Sequence, residues 1–209
     1  MSDTVLPDSL KDFTFREQAL FDLLSWLRTQ SYRFITVTPA SHERGNARPE
    51  SRWARSIEDV FGWNRPFQRE RLPADLFDRL VSAAVVVPAE PGWLSTVRVS
   101  SLNDQLLLHS GHPTSSDDAV FFGPDSYRFA SAISSLLEHR AAPRRVADIG
   151  CGAGAGMLQV ATASPEAQVH GVDVNAQALA FTRLNAAINE VDHVQLHQGS
   201  LFEPLTGHF

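Results

Sequence analysis

The stretch from Asp148 to Gly154 reads Asp-Ile-Gly-Cys-Gly-Ala-Gly, and it constrains the fold of this chain more than any other feature. Residues 145–149 have the apolar, partly β-branched character of a short buried strand, and residues 155–163 are typical of the helix that follows. The glycines at 150, 152 and 154 remove the side chains that would keep a ligand away from the backbone where the strand becomes a helix. The order strand, glycine turn and helix predicts a ligand-binding α/β fold.

Two acidic residues narrow the chemistry of the expected ligand. A carboxylate at Asp148, inside the turn, would repel the pyrophosphate that a dinucleotide-binding fold holds at this point. A second predicted strand, over residues 168–173, ends in Asp173, where a carboxylate can accept both hydroxyls of a ribose. A third strand, over residues 194–198, runs into a loop at the same sheet edge, where an adenine could lie. The pattern predicts a site for a cationic, amine-bearing nucleoside cofactor.

With these motifs, residues 146–209 closely resemble class I S-adenosylmethionine-dependent methyltransferases. The segments 175–189 and 199–204 are most similar to the small-domain group, which includes release-factor glutamine methyltransferases and methyltransferases of ribosomal RNA bases. The resemblance implies that the turn holds the methionine end of S-adenosylmethionine, that Asp173 binds the ribose, and that Ser200, where many relatives carry Asp, and Leu201 flank the adenine. The cofactor-binding residues predicted in this way are Asp148, Gly150, Cys151, Gly152, Gly154, Asp173, Val174, Ser200, Leu201, Asp125 and Ser126.

Asp125 and Ser126 also have a simpler interpretation. They follow Gly123 and Pro124, which together are typical of a helix start, and an acidic residue suits the first turn of a helix. The resemblance instead implies that this segment covers the methionine end of the cofactor. Both roles are compatible, and the sequence leaves both open.

The predicted fold class is α/β, with the N-terminal half of a doubly wound, Rossmann-like methyltransferase sheet over residues 118–209. A polar, turn-rich linker at 111–118 separates it from an α+β substrate-recognition domain over residues 1–117. In that domain we expect an amphipathic helix at 15–30, a strand at 34–38 followed by a loop, and helices near 53–61 and 74–84. Two alternating runs, 94–99 and 105–109, predict a hairpin, and the whole resembles a winged helix.

The family's acceptor motif, Asn-Pro-Pro followed by an aromatic residue, does not occur in this sequence. The resemblance implies that this motif binds the amine to be methylated, so the catalytic residues stay unassigned. A three-stranded sheet would leave the strand at 146–149 with an unpaired edge, which natural domains avoid. We therefore expect the natural protein to continue beyond Phe209, and the 209-residue chain to bind the cofactor without transferring methyl groups.

A segment rich in arginine raises the question of an RNA partner. Between Arg44 and Arg71 arginines alternate with Trp53, Trp63 and Phe67, and arginine with aromatic rings is typical of nucleic-acid binding. Acidic residues dilute this segment, and the net charge of the chain is −6. The alternative is that the aromatic residues face a core while the arginines pair locally or stay solvated.

Other features exclude further classes of function. No apolar run reaches the ~20 residues of a membrane span, and no signal-peptide pattern begins the chain, so we expect a cytoplasmic protein without a membrane partner. The eight histidines are scattered without ligand spacing, which predicts no metal site. Cys151 is the only cysteine and has no evident base, so a packing role is favoured over a nucleophile.

The predicted activity is methyl transfer to an exocyclic amine of a ribosomal RNA base or to a protein glutamine. A non-catalytic S-adenosylmethionine-binding sensor or scaffold is the alternative. A nicotinamide-dependent oxidoreductase is disfavoured by Asp148.

Overall fold

A computed structural model describes residues 12–209, so the beginning of the predicted N-terminal domain, residues 1–11, lies outside the described residues. The chain divides into two compact units: Phe13–Ser115, and Ser116–Phe209 together with Asp12. The division falls within the linker predicted at 111–118. Within residues 12–209, none of the helices combines the length and the apolar character needed to cross a bilayer.

The N-terminal unit contains helices of different lengths, and the longest packs a leucine-rich face into the core. In the longest of them, Leu20, Leu23, Leu24 and Leu27 recur at steps of three and four and are at most 1% exposed. This helix begins with the capping box that Thr14 forms with Glu17, in which the Thr14 amide donates to the carboxylate at 2.8 Å. The helices are α1 (Phe15–Thr29), α2 (Pro39–Asn46), α3 (Ile57–Phe61) and α4 (Ala74–Ser82).

The strands of the N-terminal unit form two antiparallel pairs. The predicted hairpin is present as β3 and β4, which are joined by a tight turn with Asn103 at φ 54°. The second pair, β1 with β2, lies before it in the chain. Helices followed by paired strands make this unit α+β, while its likeness to a winged helix stays a prediction. The strands are β1 (Val86–Pro88), β2 (Trp93–Ser95), β3 (Val97–Leu102) and β4 (Gln105–Ser110).

Two predictions for residues 34–46 were wrong. The segment 34–38 is extended but is not a strand. The Ser101 amide donates to the Phe34 carbonyl at 2.7 Å, but the Phe34 amide donates to the Ser101 hydroxyl at 3.0 Å rather than to a backbone carbonyl. The Thr36 side chain contacts β3 through the side chains of Ser100 and Arg98. The loop predicted after it is helix α2 instead. The Thr38 hydroxyl caps this helix by accepting from the Ser41 amide at 3.3 Å, and Pro39 opens its first turn.

The C-terminal unit is an α/β structure with helices packed on a parallel sheet in the order β5-β6-β7. The predicted strands and the helices that follow them are confirmed. The core lies between helix and sheet, where Met157, Leu158, Val169 and Leu184 are fully buried. The elements are α5 (Pro124–Glu138), β5 (Arg145–Ile149), α6 (Ala155–Ala163), β6 (Gln168–Asp173), α7 (Ala176–Ile188) and β7 (Val194–Gln198).

Strand β5 lies at one edge of this sheet, since it pairs only with β6 among the described strands. An apolar groove of about 440 Å³ runs beside it. The α5 side of the groove carries Phe129 and Leu136, which are about half exposed. The groove also includes Val146 of β5 and Val160 of α6. The expected unpaired edge is therefore present in the structure of residues 12–209.

Candidate cofactor site

The glycine turn, which we define as residues 148–154, leaves one side of the backbone open. Gly150 has φ 73°, a conformation that favours glycine, and a Cβ built on it would meet no atom within 4 Å. The amides of Gly150 and Cys151 both donate to the Val172 carbonyl of β6, at 2.8 and 3.0 Å. The turn is therefore anchored to the neighbouring strand while its open side gives a ligand close access to the backbone.

Asp148 is the last but one residue of β5, and its carboxylate is turned towards the start of α6. Its Oδ2 accepts a hydrogen bond from the Met157 amide at 2.9 Å, whereas Oδ1 makes no hydrogen bond with the described residues. Burial raises the pKa of this carboxyl, and the negative charge of Asp173 adds to the effect, while the Met157 amide opposes it. A cationic ligand at Oδ1 would offset both the burial of the charged carboxylate and its repulsion from Asp173.

Asp173, at the end of β6, ties two loops together. Its Oδ2 accepts from the Gly152 amide of the glycine turn at 2.9 Å, and its Oδ1 accepts from the Asn175 amide at 2.9 Å. The carboxyl ends of β5 and β6 thus bring the two predicted carboxylates to the same edge of the sheet. Each oxygen keeps a lone pair for a further donor such as a hydroxyl.

Two fully buried polar side chains of helix α7 donate hydrogen bonds to carbonyls of the glycine turn. The Thr182 hydroxyl donates to the Gly152 carbonyl at 2.8 Å, and the Asn185 amide donates to the Ala153 carbonyl at 2.9 Å. Gly154, at φ 80°, lies so close to Thr182 that a Cβ would come within 2.8 Å of its side chain. These contacts fix the turn before any ligand arrives.

The third loop, after β7, lies beside Asp173, as its position in the chain predicts. The Gly199 amide donates to the Asp173 carbonyl at 3.1 Å. Ser200 is exposed, and Val174 and Leu201 are both 66% exposed although they are apolar. The structure therefore gathers the predicted ribose and adenine residues on neighbouring loops with apolar side chains open to a ligand.

At the start of α5, both predicted cofactor residues make helix-start contacts. The Ser126 hydroxyl accepts from the Gly123 amide at 3.4 Å, and Asp125 forms an exposed ion pair with Arg128 at 3.1 Å. The segment before the helix is joined to the β6–α7 loop, because the Asn175 side-chain amide donates to the Asp118 carbonyl at 2.9 Å. The simpler interpretation of this segment describes these contacts, and the covering role stays a prediction.

Cys151 lies inside the turn with its side chain only 6% exposed. Burial and the nearby charges of Asp148 and Asp173 raise the pKa of its thiol to about 12. A thiol in this state is not a nucleophile at neutral pH. Among residues 12–209, no group of three or more His, Cys, Asp and Glu side chains is placed to hold a metal ion.

This geometry coincides with a match to a known protein family. Residues 118–209 match the family model described as "Methyltransferase small domain". The chain is similar to that family over these residues, which make up less than half of its length. The resemblance predicted from the sequence is confirmed, and S-adenosylmethionine is the cofactor that the methyltransferase small domain is expected to hold.

Individual relatives match the chain over part of its length. The chain is 48% identical over 59 residues, 28% of its length and 20% of the relative's, to the release factor glutamine methyltransferase of Synechocystis sp.. It is 24% identical over 150 residues, 69% of its length and 41% of the relative's, to the ribosomal protein L11 methyltransferase of Clostridium botulinum. It thus spans between 20% and 41% of the length of these relatives. Among solved structures, Trm5b from Pyrococcus abyssi aligns with 50% of this chain and 28% of its own at 24% identity and a TM-score of 0.39.

The residues of the methyltransferase small domain fit this cofactor. A methionine ammonium would meet a carboxylate oxygen of Asp148 that has no protein donor, ribose hydroxyls would meet Asp173, and the open side of Gly150 would give a ligand access to the backbone. S-adenosylmethionine has no phosphate group, so the acidic residues of the turn would not repel it as they would a dinucleotide.

Sequence reasoning missed residues that support the site without facing it. Thr182 and Asn185 are buried polar residues three apart on α7, a pattern that signals an inward-facing polar pair. Gly156 is a second omission: a Cβ there would lie 2.8 Å from Asp148 Oδ2 and 2.5 Å from the Phe129 ring. Glycine at this position allows α5 to pack against α6 without displacing the carboxylate.

Proposed function

We propose that this protein is an S-adenosylmethionine-dependent N-methyltransferase whose acceptor is an RNA base amine or a protein glutamine. The domain at 118–209 binds the cofactor through the predicted residues, and the domain at 1–117, winged-helix-like in character, recognises the substrate. A cytoplasmic location belongs to the same proposal. The named relatives, which act on a release factor glutamine and on ribosomal protein L11, support a substrate from the translation machinery.

One observation carries this proposal: carboxylates end two adjacent parallel strands on either side of a turn that is open towards a ligand. Asp148 has a free oxygen and a raised pKa, and Asp173 is fixed by two backbone amides. Two negative charges at this point favour a ligand with a positive charge and neutral hydroxyls over one with phosphates.

The chemistry follows from the cofactor and from positioning. When bound, S-adenosylmethionine would supply an electrophilic methyl group: the bond from the acceptor nitrogen to the methyl carbon would form as the carbon–sulfur bond breaks, the neutral thioether would leave, and the nitrogen would lose a proton to water. The chain's contribution is to bind and orient: Asp148 holds the ammonium, Asp173 holds the ribose, and α7 keeps the turn rigid. The Cys151 thiol would not form a covalent intermediate, since burial and the neighbouring carboxylates raise its pKa and keep it protonated.

The alternative is a non-catalytic S-adenosylmethionine-binding sensor or scaffold. It is supported by the absence of an Asn-Pro-Pro motif from the 209-residue sequence. We propose that this chain by itself binds the cofactor and does not turn over. The test is transfer of a labelled methyl group by the isolated chain to RNA or to a glutamine-containing release factor. Such transfer would contradict both the proposed inactivity of this chain and the sensor alternative.

Calorimetric titration with S-adenosylmethionine and then with NAD tests the site. We expect the full chain to bind S-adenosylmethionine and not NAD, and Asp148→Asn and Asp173→Asn each to weaken binding by about 10-fold or more, because each removes a charge-assisted hydrogen bond.

Glu166→Gln is the matched control, since Glu166 is an exposed carboxylate in the connection from α6 to β6. It should bind S-adenosylmethionine as the unmodified chain does. Tighter binding of NAD, or unchanged affinity in both Asn variants, would refute the proposed cofactor site.

A further inference from the structure

A pocket of about 460 Å³ in the N-terminal unit, which we call the arginine pocket, is lined by side chains that are mostly cationic. It lies on α2 and on the segment after α3, and none of its lining residues is acidic. Of the seven arginines between Arg44 and Arg71, three converge here and the others do not. The lining residues are Ser41, Arg44, Gly45, Arg48, Trp63 and Arg65.

The three arginines differ in how their charge is used. Arg65 is fixed in place: it forms an ion pair with Asp59, donates to the Asn46 side-chain carbonyl at 2.9 Å, and stacks over the Trp63 ring at 5.1 Å. Arg44 donates only to the Ala40 carbonyl of its own helix, at 3.2 Å. Arg48 is exposed, and among residues 12–209 neither it nor Arg44 forms an ion pair. The pocket therefore presents two uncompensated guanidinium groups beside a rigid third one.

An aromatic ring forms one wall of the arginine pocket. Trp63 packs so closely on Gly45 that a Cβ there would come within 2.7 Å of the indole, which also contacts the Phe34 and His42 rings and the Arg65 guanidinium. The indole is thus held rigidly beside the free arginines. Guanidinium groups match the geometry of phosphate oxygens, and a fixed indole offers a surface on which a base or ribose packs.

We propose that the arginine pocket binds RNA, with Arg44 and Arg48 holding a backbone phosphate and Trp63 contacting the adjoining nucleoside. This deepens the proposed function by favouring RNA over protein as the acceptor, and it rests on that function for the identity of the RNA as substrate. The anion-binding chemistry itself depends only on the side chains that line the pocket. An acidic segment of a protein is the competing occupant.

The experiment measures fluorescence anisotropy of a short, unstructured, fluorescein-labelled RNA oligonucleotide titrated with the full chain at several salt concentrations. We expect Arg44→Ala/Arg48→Ala to weaken binding by about 10-fold at low salt. The slope of log K against log salt should become shallower by about 0.7 for each phosphate that the variant no longer neutralises. Arg44→Lys/Arg48→Lys keeps the charge but removes the planar guanidinium groups. Its affinity for RNA should therefore lie between that of the unmodified chain and that of the alanine pair.

Arg52→Ala/Arg55→Ala is the matched control, because it removes the same formal charge from exposed arginines of the same segment that do not line the pocket. It should keep both affinity and salt slope, and circular dichroism of each variant reports folding. Equal reductions of affinity in both alanine pairs, or no RNA binding by the unmodified chain, would overturn the proposal. Tighter binding of a polyglutamate peptide than of RNA would assign the pocket to an acidic protein instead.

Calorimetry with S-adenosylmethionine on the same variants separates this proposal from the proposed function. The pocket variants should bind the cofactor as the unmodified chain does. If no variant binds S-adenosylmethionine while RNA binding still depends on Arg44 and Arg48, the cofactor site fails and the arginine pocket stands.

Discussion

The thiol of Cys151 is shielded by the turn that it helps to form. Its pKa of about 12 leaves almost no thiolate at neutral pH, and its side chain is buried beside Thr182. We predict that Ellman's reagent reacts with the native chain at pH 8 only as fast as the C-terminal unit opens, and rapidly once the chain is unfolded in urea. Fast, stoichiometric labelling of the native protein would show that the turn is open in solution.

At the same scale, the site residues differ in how well the sequence could reveal them. The placement of Asp148 and Asp173 at one edge of the sheet could be predicted because it follows from their positions, one beside the glycines of the turn and the other at the next strand end. The roles of Thr182 and Gly156 could not be predicted, because only packing brings them to the groups that they contact. Thr182 contacts a carbonyl thirty residues earlier in the chain, and Gly156 lies against the Asp148 carboxylate and the Phe129 ring.

Helix α7 is the element that stabilises the glycine turn. Replacing Thr182 by valine keeps the shape of the side chain but leaves the Gly152 carbonyl without its donor, which costs about 1–3 kcal/mol. We expect Thr182→Val to speed the reaction of Cys151 with Ellman's reagent and to weaken S-adenosylmethionine binding severalfold.

Thr162→Val, on an exposed position of α6, is the matched control and should change neither measurement. If Thr182→Val leaves the thiol as protected as before, the hydrogen bond from α7 does not hold the turn.

The elements also show where a sequence is informative. The strands and helices of the C-terminal unit could be predicted because motif and periodicity agree along the whole segment. Helix α2 could not, since its eight residues bury only His42 and so carry no apolar stripe. The segment 34–38 has the residues of a strand, but a serine hydroxyl replaces one backbone partner there.

For the molecule as a whole, acid should act first on the N-terminal unit. His42 is 2% exposed, stacks on the Trp63 ring and lies against the tilted ring of His112. Burial, followed by the positive charge of Arg98 and the neighbouring His112 and Arg65, lowers its pKa to about 4. The unfolded chain, with a histidine pKa of about 6.5, therefore binds more protons than the folded chain between these values. The stabilisation is complete above pH 6.5 and is lost as the pH falls towards 4.

We predict a decrease of about 2 kcal/mol in the free energy of unfolding of this unit between pH 7 and pH 5 from His42 alone. Tryptophan fluorescence in urea measures it selectively, since the four tryptophans of the chain, at 26, 53, 63 and 93, all lie in the N-terminal unit. His42→Phe should reduce the pH dependence of unfolding by this amount. The pH dependence that remains in the variant should come from the buried His109, whose pKa is also lowered. An identical pH dependence in the variant would show that His42 is protonated in the folded unit.

The outer edge of β5 has a practical consequence for handling the protein. The outer backbone groups of β5 face away from the sheet beside the apolar groove. Two molecules that meet there can therefore pair through their β5 strands. Purification and refolding should accordingly be done dilute and cold, where both collision frequency and apolar attraction are reduced.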